Sequence, residues 1–240
     1  MTGGNKRVRN MIEIENYVAI VPVRGGSKGL PGKNVRFFAG LPLYRHAVEQ
    51  GLHNAERCLI SSDIEAILNA DLPERCEVLR RPANLAGDSV PMDEVLADIV
   101  QRCDLGGATI ILLQATSPLR LNADIQKAKE VYRTGNYDLV MSVTGTESGI
   151  LKYGVMEGER FRPVARPDYC FMNRQQLPPV YRPNGAVYIF GADWFAQNGQ
   201  LATDRIGAIE IPEARSLDID TLIDFERAEK MYKSFRLRST

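Results

Sequence analysis

The residues of this chain best suited to chemistry crowd into one loop, Arg24-Gly25-Gly26-Ser27-Lys28-Gly29-Leu30-Pro31-Gly32-Lys33-Asn34. Four of its positions are glycine and three are cationic. Glycine lets backbone N–H groups approach an anion closely and accepts positive φ. Lysine and arginine add charge-assisted hydrogen bonds to phosphate oxygens. Together these residue types describe a cradle for a polyphosphate, against the plainer reading of a flexible surface loop. Two common phosphate templates do not fit. A P-loop needs glycine where this chain has Ser27 and a hydroxyl where it has Asn34, and the G-x-G-x-x-G spacing of a dinucleotide fingerprint is absent.

A second candidate is Ser216-Leu217-Asp218-Ile219-Asp220-Thr221. Residues two apart on an extended segment point to the same side, so Asp218 and Asp220 can offer oxygen ligands to a hard cation. Mg²⁺ commonly takes one or two carboxylates together with substrate phosphates. The competing reading makes Asp220 the N-cap of the last helix. His46 and His53, seven residues apart on one helix face, read as structural. Cys58, Cys76, Cys103 and Cys170 contain no C-x-x-C pair, which argues against structural zinc and for reduced thiols in a cytoplasmic protein. Thirty basic residues balance thirty acidic ones. That balance argues against nucleic-acid or membrane-surface partners, and no apolar run reaches the length of a membrane span.

These residues need a scaffold, and the hydrophobic pattern supplies one. The apolar run 17–22 reads as a buried strand that feeds the glycine-rich loop. Helical spacing follows over 43–52, 64–70, 91–103, 122–132 (with Asn122 as N-cap) and 221–235. Strands are expected at 57–61, 76–79, 109–113, 139–143, 186–190 and 209–211. Thr109-Ile110-Ile111-Leu112-Leu113 is apolar without alternation, as a central parallel strand covered on both faces should be. Alternating strands and helices imply an α/β fold with an open, mostly parallel sheet and helices on both faces. Ligands of such sheets sit at the carboxyl ends of the strands. Residues 1–16 read as a disordered leader and 17–240 as a single domain, interrupted over about 145–183 by a Gly-, Pro- and Arg-rich insertion.

The motif Arg24-x-x-Ser27-Lys28-Gly29-Leu30-Pro31-x-Lys33-Asn34 resembles the opening motif of the acylneuraminate cytidylyltransferases, including bacterial relatives that activate other nine-carbon sugar acids. Lys28-Gly29 and Asn34 separate it from the related Kdo cytidylyltransferases. Four further segments are similar to that family's motifs: 80–89, 113–120, 181–189 and 216–221. The resemblance covers roughly residues 17–232. It implies a fold of the nucleotide-diphospho-sugar transferase type and transfer of CMP from CTP to a sialic-acid-type acid, with release of pyrophosphate. It implies nucleotide contacts from Arg24, Gly25, Ser27, Lys28, Lys33, Asn34, Arg81 and Gln114, with Arg24, Lys33 and Asp220 catalytic. Mg²⁺, or alternatively Mn²⁺, would sit on Asp218 and Asp220. Sugar contacts would come from Gln114, Arg174, Gln176, Asn184 and Tyr188. Arg166, Arg174 and Arg182 suit a carboxylate-bearing sugar, because guanidinium pairs bidentately with carboxylate. The insertion would join a homodimer. Alternatives are another ulosonic acid of the Kdo type, or a nucleotide-binding regulatory protein without turnover. Ala115 stands where the family usually has proline, and Met92 where it often has a small hydroxyl residue; both leave the identity of the sugar open.

Overall fold

The computed structural model describes residues 16–237. The expected leader therefore lies, but for its last residue, outside the described residues. The chain begins with β1 (Tyr17–Val23), then the glycine-rich loop and two short paired strands, β2 (Phe37–Phe38) and β3 (Leu41–Pro42). Next come α1 (Leu43–Asn54), β4 (Arg57–Ser62), α2 (Glu65–Leu68), β5 (Cys76–Arg80), α3 (Met92–Arg102) and β6 (Thr109–Leu113). The second half holds α4 (Asn122–Arg133), β7 (Leu139–Thr146), the hairpin β8 (Gly154–Glu157) and β9 (Arg160–Pro163), β10 (Val180–Gly191), α5 (Ala192–Asn198), β11 (Ile206–Glu210) and α6 (Leu222–Leu237).

Seven strands form one sheet in the order β11-β7-β10-β6-β1-β4-β5. Only β10 runs against its neighbours β6 and β7; the remaining pairs are parallel. The absence of polar alternation in β1 and β6 has a direct cause. Ala19, Val21, Ile111 and Leu113 face a core shared with α1 and α4. Val18, Ile20, Ile110 and Leu112 face a second core shared with α3 and α5. Both faces are dry, so every position is apolar. The helices match: Tyr44, Ala47 and Val48 of α1 enter the first core at i, i+3, i+4 spacing and Val95, Leu96 and Ile99 of α3 the second at i, i+1, i+4 spacing, each set on one helical face.

Two expectations change in detail. Asn122 does not cap α4. Asp124 Oδ2 accepts the Leu121 N–H at 2.8 Å, and the Asn122 side chain instead accepts from Asn54 Nδ2 at 3.0 Å, tying α4 to α1. The stretch 145–183 also carries more sheet than its composition suggests. β7 extends to Thr146, and β10 starts at Val180, pairing Tyr181 with Gly145. Pro183 and Gly185 do not end this strand, because the register shifts between Pro183 and Tyr188 and the irregularity absorbs them. Between these strands lie β8–β9 and short 3₁₀ turns at Ser148–Lys152, Pro167–Phe171 and Arg174–Gln176.

Candidate active site

A cleft of about 440 Å³ opens at the carboxyl ends of β1 and β6, lined by residues from four of the five sequence motifs. The glycine-rich loop forms one wall. Asn34 shapes it by donating from Nδ2 to the Arg24 carbonyl at 3.0 Å. The N–H groups of Gly25 and Ser27 are used internally, on Asp63 Oδ1 at 2.8 Å and on the Gly25 carbonyl at 2.9 Å. The wall therefore presents Arg24, Ser27, Lys28 and Lys33 as its side-chain donors, and relies less on those two amides than its glycine content suggests. Asn34 Oδ1 is buried and accepts no hydrogen bond within the protein. An unpaired buried acceptor is costly, and nothing else in the protein offsets that cost here.

The loop is bolted to the Asp218–Asp220 segment. Leu30 is buried in a small core with Phe38, Ile219 and Phe225. Lys33, itself buried, donates from Nζ to the Ile219 carbonyl at 2.5 Å and to Asp220 Oδ1 at 2.9 Å. Gly29 is required by this contact, since a Cβ there would lie 2.4 Å from the Asp220 carbonyl oxygen. The Ile219 N–H in turn reaches the Thr116 carbonyl at 3.0 Å. Asp220 is not the cap of α6. Thr221 takes that role, receiving the Asp224 N–H on Oγ1 at 3.2 Å while Asp224 Oδ2 accepts the Thr221 N–H at 2.8 Å. Asp220 thus keeps its carboxylate for Lys33 and the cleft. Asp218 opens onto the same cleft but is confined by surrounding protein atoms. That confinement chiefly, with the Asp220 charge adding to it, pushes the Asp218 carboxyl up despite a hydrogen bond from Thr116.

Arg81 and Gln114 form the opposite wall. Arg81 is almost fully buried and donates to Ser61, from Nε to Oγ at 3.1 Å and from Nη2 to the carbonyl at 3.0 Å. No carboxylate ion-pairs with it among the described residues, and burial holds its guanidinium below the usual arginine range. A buried cation facing a cleft without a counter-ion is suited to an electron-rich ligand. The Gln114 side chain lies against Gly185, where a Cβ would be 3.2 Å from the amide and φ is +76°. Beneath them Arg120 is fully enclosed. It donates to the carbonyls of Gln114 and Ala186 at 3.3 and 2.5 Å and to Gln50 Oε1 from Nε and Nη2. Arg120 thereby fixes the end of β6 to the irregular part of β10.

The expected sugar residues are placed differently from the nucleotide residues. Arg174 and Gln176 lie on the surface outside the cleft; Arg174 pairs with Glu147 at 2.7 Å and Gln176 Oε1 accepts the Asn173 N–H. Arg166 pairs with Asp168, and Arg182 is exposed beside Glu147 and Glu210 in a separate hollow. Asn184 is buried. It accepts from Ser142 Oγ and the Ala186 N–H and donates to Thr144 and Ser216. This network ties β7 and β10 to the segment leading into Asp218. Tyr188 is half-buried, its phenol pushed up by burial and to a lesser degree by the Asp218 charge. His46 is structural, with Nε2 donating to the Phe38 carbonyl at 2.8 Å.

Several cleft residues carry no role in the sequence reading. Asp88 ion-pairs with both Arg24 and Lys28. Met92 and Thr116 line the cleft, and Asp63 anchors Gly25. Asp88, Met92 and Thr116 fall in or beside the quoted motifs, which was their only signal; Asp63 had none.

An open, mostly parallel sheet with a cation-rich cleft at its strand ends belongs to the class of α/β nucleotide-binding folds. Residues 18–234 match the cytidylyltransferase family, and the chain belongs to that family. It is 31% identical over 213 residues to an N-acylneuraminate cytidylyltransferase of Streptococcus agalactiae serotype V, covering 87% of this chain and 51% of that protein. The chain thus spans about half the length of such relatives. It is 30% identical to post-translational flagellin modification protein B of Campylobacter coli, covering 94% and 99% of the two chains. To the CMP-N,N'-diacetyllegionaminic acid synthase of Legionella pneumophila it is 29% identical, covering 89% and 95%. The fold is shared with CMP:2-keto-3-deoxy-manno-octonic acid synthetase solved with CTP, at TM-score 0.69 and 16% identity over 92% of this chain and 99% of that one.

Proposed function

We propose that this chain transfers CMP from CTP to a nine-carbon sugar acid of the sialic-acid type and releases pyrophosphate. The observation that carries this reading is the convergence of Arg24, Lys28, Lys33, Arg81, Gln114, Asp218 and Asp220 on one cleft, in a chain of the cytidylyltransferase family. The names of two full-length relatives, a diacetyllegionaminic acid synthase and a flagellin modification protein, favour a nonulosonate over an eight-carbon acid.

In this reading the anomeric hydroxyl of the sugar attacks the α-phosphorus of CTP, and the bond to the β,γ-pyrophosphate breaks. Arg24, Lys28 and Lys33 bind the triphosphate and offset the charge that develops on the leaving pyrophosphate. Arg81 contacts the nucleoside, Asn34 shapes the loop around the phosphates, and Gln114 lies where nucleotide and sugar meet. Catalysis of this kind rests on positioning and on charges already in place.

The donor set suits Mg²⁺ or Mn²⁺. Two carboxylates share one cleft, Asp218 is disfavoured as an anion there, and among the described residues only Lys33 ion-pairs with either. No cluster of three or more potential ligand residues occurs among the described residues, so the proposed ion would need oxygens from phosphate and water beside the two carboxylates. When bound, the ion would neutralise phosphate oxygens and acidify a coordinated hydroxyl.

The sugar-end residues Arg174 and Gln176 stand outside the cleft of the single chain, which supports a site completed in a homodimer. In the segment that precedes them Tyr153, Met156, Phe161, Val164 and Phe171 are exposed, Phe171 by 91%, with Met156 and Phe161 on one face of the hairpin and Tyr153 and Val164 on the other. Large apolar side chains left exposed in this number favour a protein partner, here a second copy. No helix among the described residues is long and apolar enough to cross a membrane.

The test is pyrophosphate release from CTP and Mg²⁺ with a panel of N-acetylneuraminic, legionaminic, pseudaminic and eight-carbon ulosonic acids. Release with a nine-carbon acid is expected. Release only with an eight-carbon acid would overturn the sugar assignment, and CTP binding without release from any acid would identify a regulatory protein.

A further inference from the structure

The Asp88 carboxylate occupies the mouth of the proposed triphosphate site. It comes from the turn closed by the Val90 N–H on the Gly87 carbonyl at 3.3 Å, far in sequence from the loop it touches. One of its oxygens pairs with Arg24 and the other lies 2.8 Å from Lys28 Nζ. Neither cation has another ion pair among the described residues. Lys28 is 85% exposed, so it stays solvated while this contact holds its ammonium beside Arg24. Lys28 first, and then Arg24, hold the Asp88 carboxyl below the usual carboxylate range. All three residues line the same cleft.

A carboxylate bridging two cations in this way resembles one phosphate of a ligand. It offers two acceptor oxygens and one negative charge, where a polyphosphate offers more of both. The two anions cannot share Arg24 and Lys28 without like-charge repulsion at close range. We propose that Asp88 is an internal stand-in for phosphate, holding Arg24 and Lys28 together in the empty site and exchanged for the incoming polyphosphate. Such an exchange keeps the two cations from being claimed by weak single anions, because a ligand must outcompete a tethered carboxylate. It also stops the loop cations from repelling one another when the site is empty.

The inference rests on the triphosphate reading of the cleft, and its test is chosen to separate the two. Binding of inorganic tripolyphosphate, which has no base or sugar, is measured by calorimetry in metal-free buffer for the wild type and for Asp88→Asn. The ion pairs are partly exposed, so the variant should bind about three- to tenfold more tightly. The gain should shrink when Lys28→Met is added, because the released cation is then missing. Asp88→Ser provides the same comparison should Asp88→Asn not fold. Unchanged or weaker tripolyphosphate binding would overturn the stand-in role, even with CTP turnover intact. Failure to bind CTP alongside tighter tripolyphosphate binding in the variant would overturn the nucleotide reading and leave the stand-in role standing.

Discussion

At the scale of single residues, the cleft shows how one cation can serve structure and chemistry together. Lys33 is buried because Leu30 and Ile219 close over it, and its charge is met by Asp220 and the Ile219 carbonyl. Its ammonium is thus held at the cleft rather than free in solvent. Lys33→Ala and Asp220→Ala should each lower kcat about a hundredfold or more, equivalent to about 3 kcal/mol of transition-state stabilisation. Asp220 is largely exposed, so its variant should keep wild-type circular dichroism, with a lower melting temperature because buried Lys33 loses its counter-ion. Near-normal turnover in either variant would remove that residue from the proposed machinery. The chemical types at these positions were legible in the sequence, since glycines and cations in one loop announce an anion site. The partner of each cation was not. Asp88 and Asp63 reach the loop from elsewhere in the chain, and no local spacing encodes such a contact.

At the scale of elements, the site depends on the irregular middle of β10. Asn184 there satisfies Ser142 and Thr144 of β7 and Ser216, which precedes Asp218. All of these groups are buried, so removing the amide leaves polar partners without bonds. Asn184→Ala should cost about 2–3 kcal/mol of stability, read as a lower urea midpoint. It should also reduce kcat more than it raises KM for CTP, because Asp218 loses its support while the loop cations stay in place. A variant with wild-type midpoint and kinetics would show that the network does not position Asp218. The elements themselves were largely readable. Apolar runs marked β1 and β6, and 3.6-residue spacing marked α1 and α3. The full extent of β10 was hidden, because Pro183 and Gly185 read as breakers and only pairing with β7 and β6 overrides them. The sequence offered Asp220 as the cap of α6, but Thr221 caps the helix instead and Asp220 pairs with Lys33, a contact no local spacing encodes.

At the scale of the whole molecule, the apolar surface of the hairpin region is the feature the isolated chain leaves unexplained. Val155, Met156 and Phe161 lie on β8 and β9 with exposed side chains. A two-stranded hairpin of this kind has little stability by itself, and a second copy would cover it. Sedimentation equilibrium should find the wild type at twice the chain mass and the double variant Phe161→Glu, Phe171→Glu at the chain mass. The variant should also lose affinity for the sugar acid while retaining CTP binding, since only the sugar end is proposed to need the partner. A monomeric wild type with full activity would exclude this arrangement.

The sequence by itself determined the α/β class, the order of the main strands and helices, and the glycine- and cation-rich make-up of the loop after β1. Those properties are written in local residue types and short periods, which the backbone must obey wherever the chain goes. Only the tertiary structure decided which groups share the cleft. Lys33 meets Asp220 across nearly the whole chain because Leu30 and Ile219 bury one another. Arg120 joins Gln114 to β10 because a fully enclosed guanidinium must find acceptors. Arg174, by contrast, is kept away from the cleft because its segment lies on the surface beside Glu147. Long-range packing and the need to satisfy buried polar groups made these choices, and both depend on the fold as a whole.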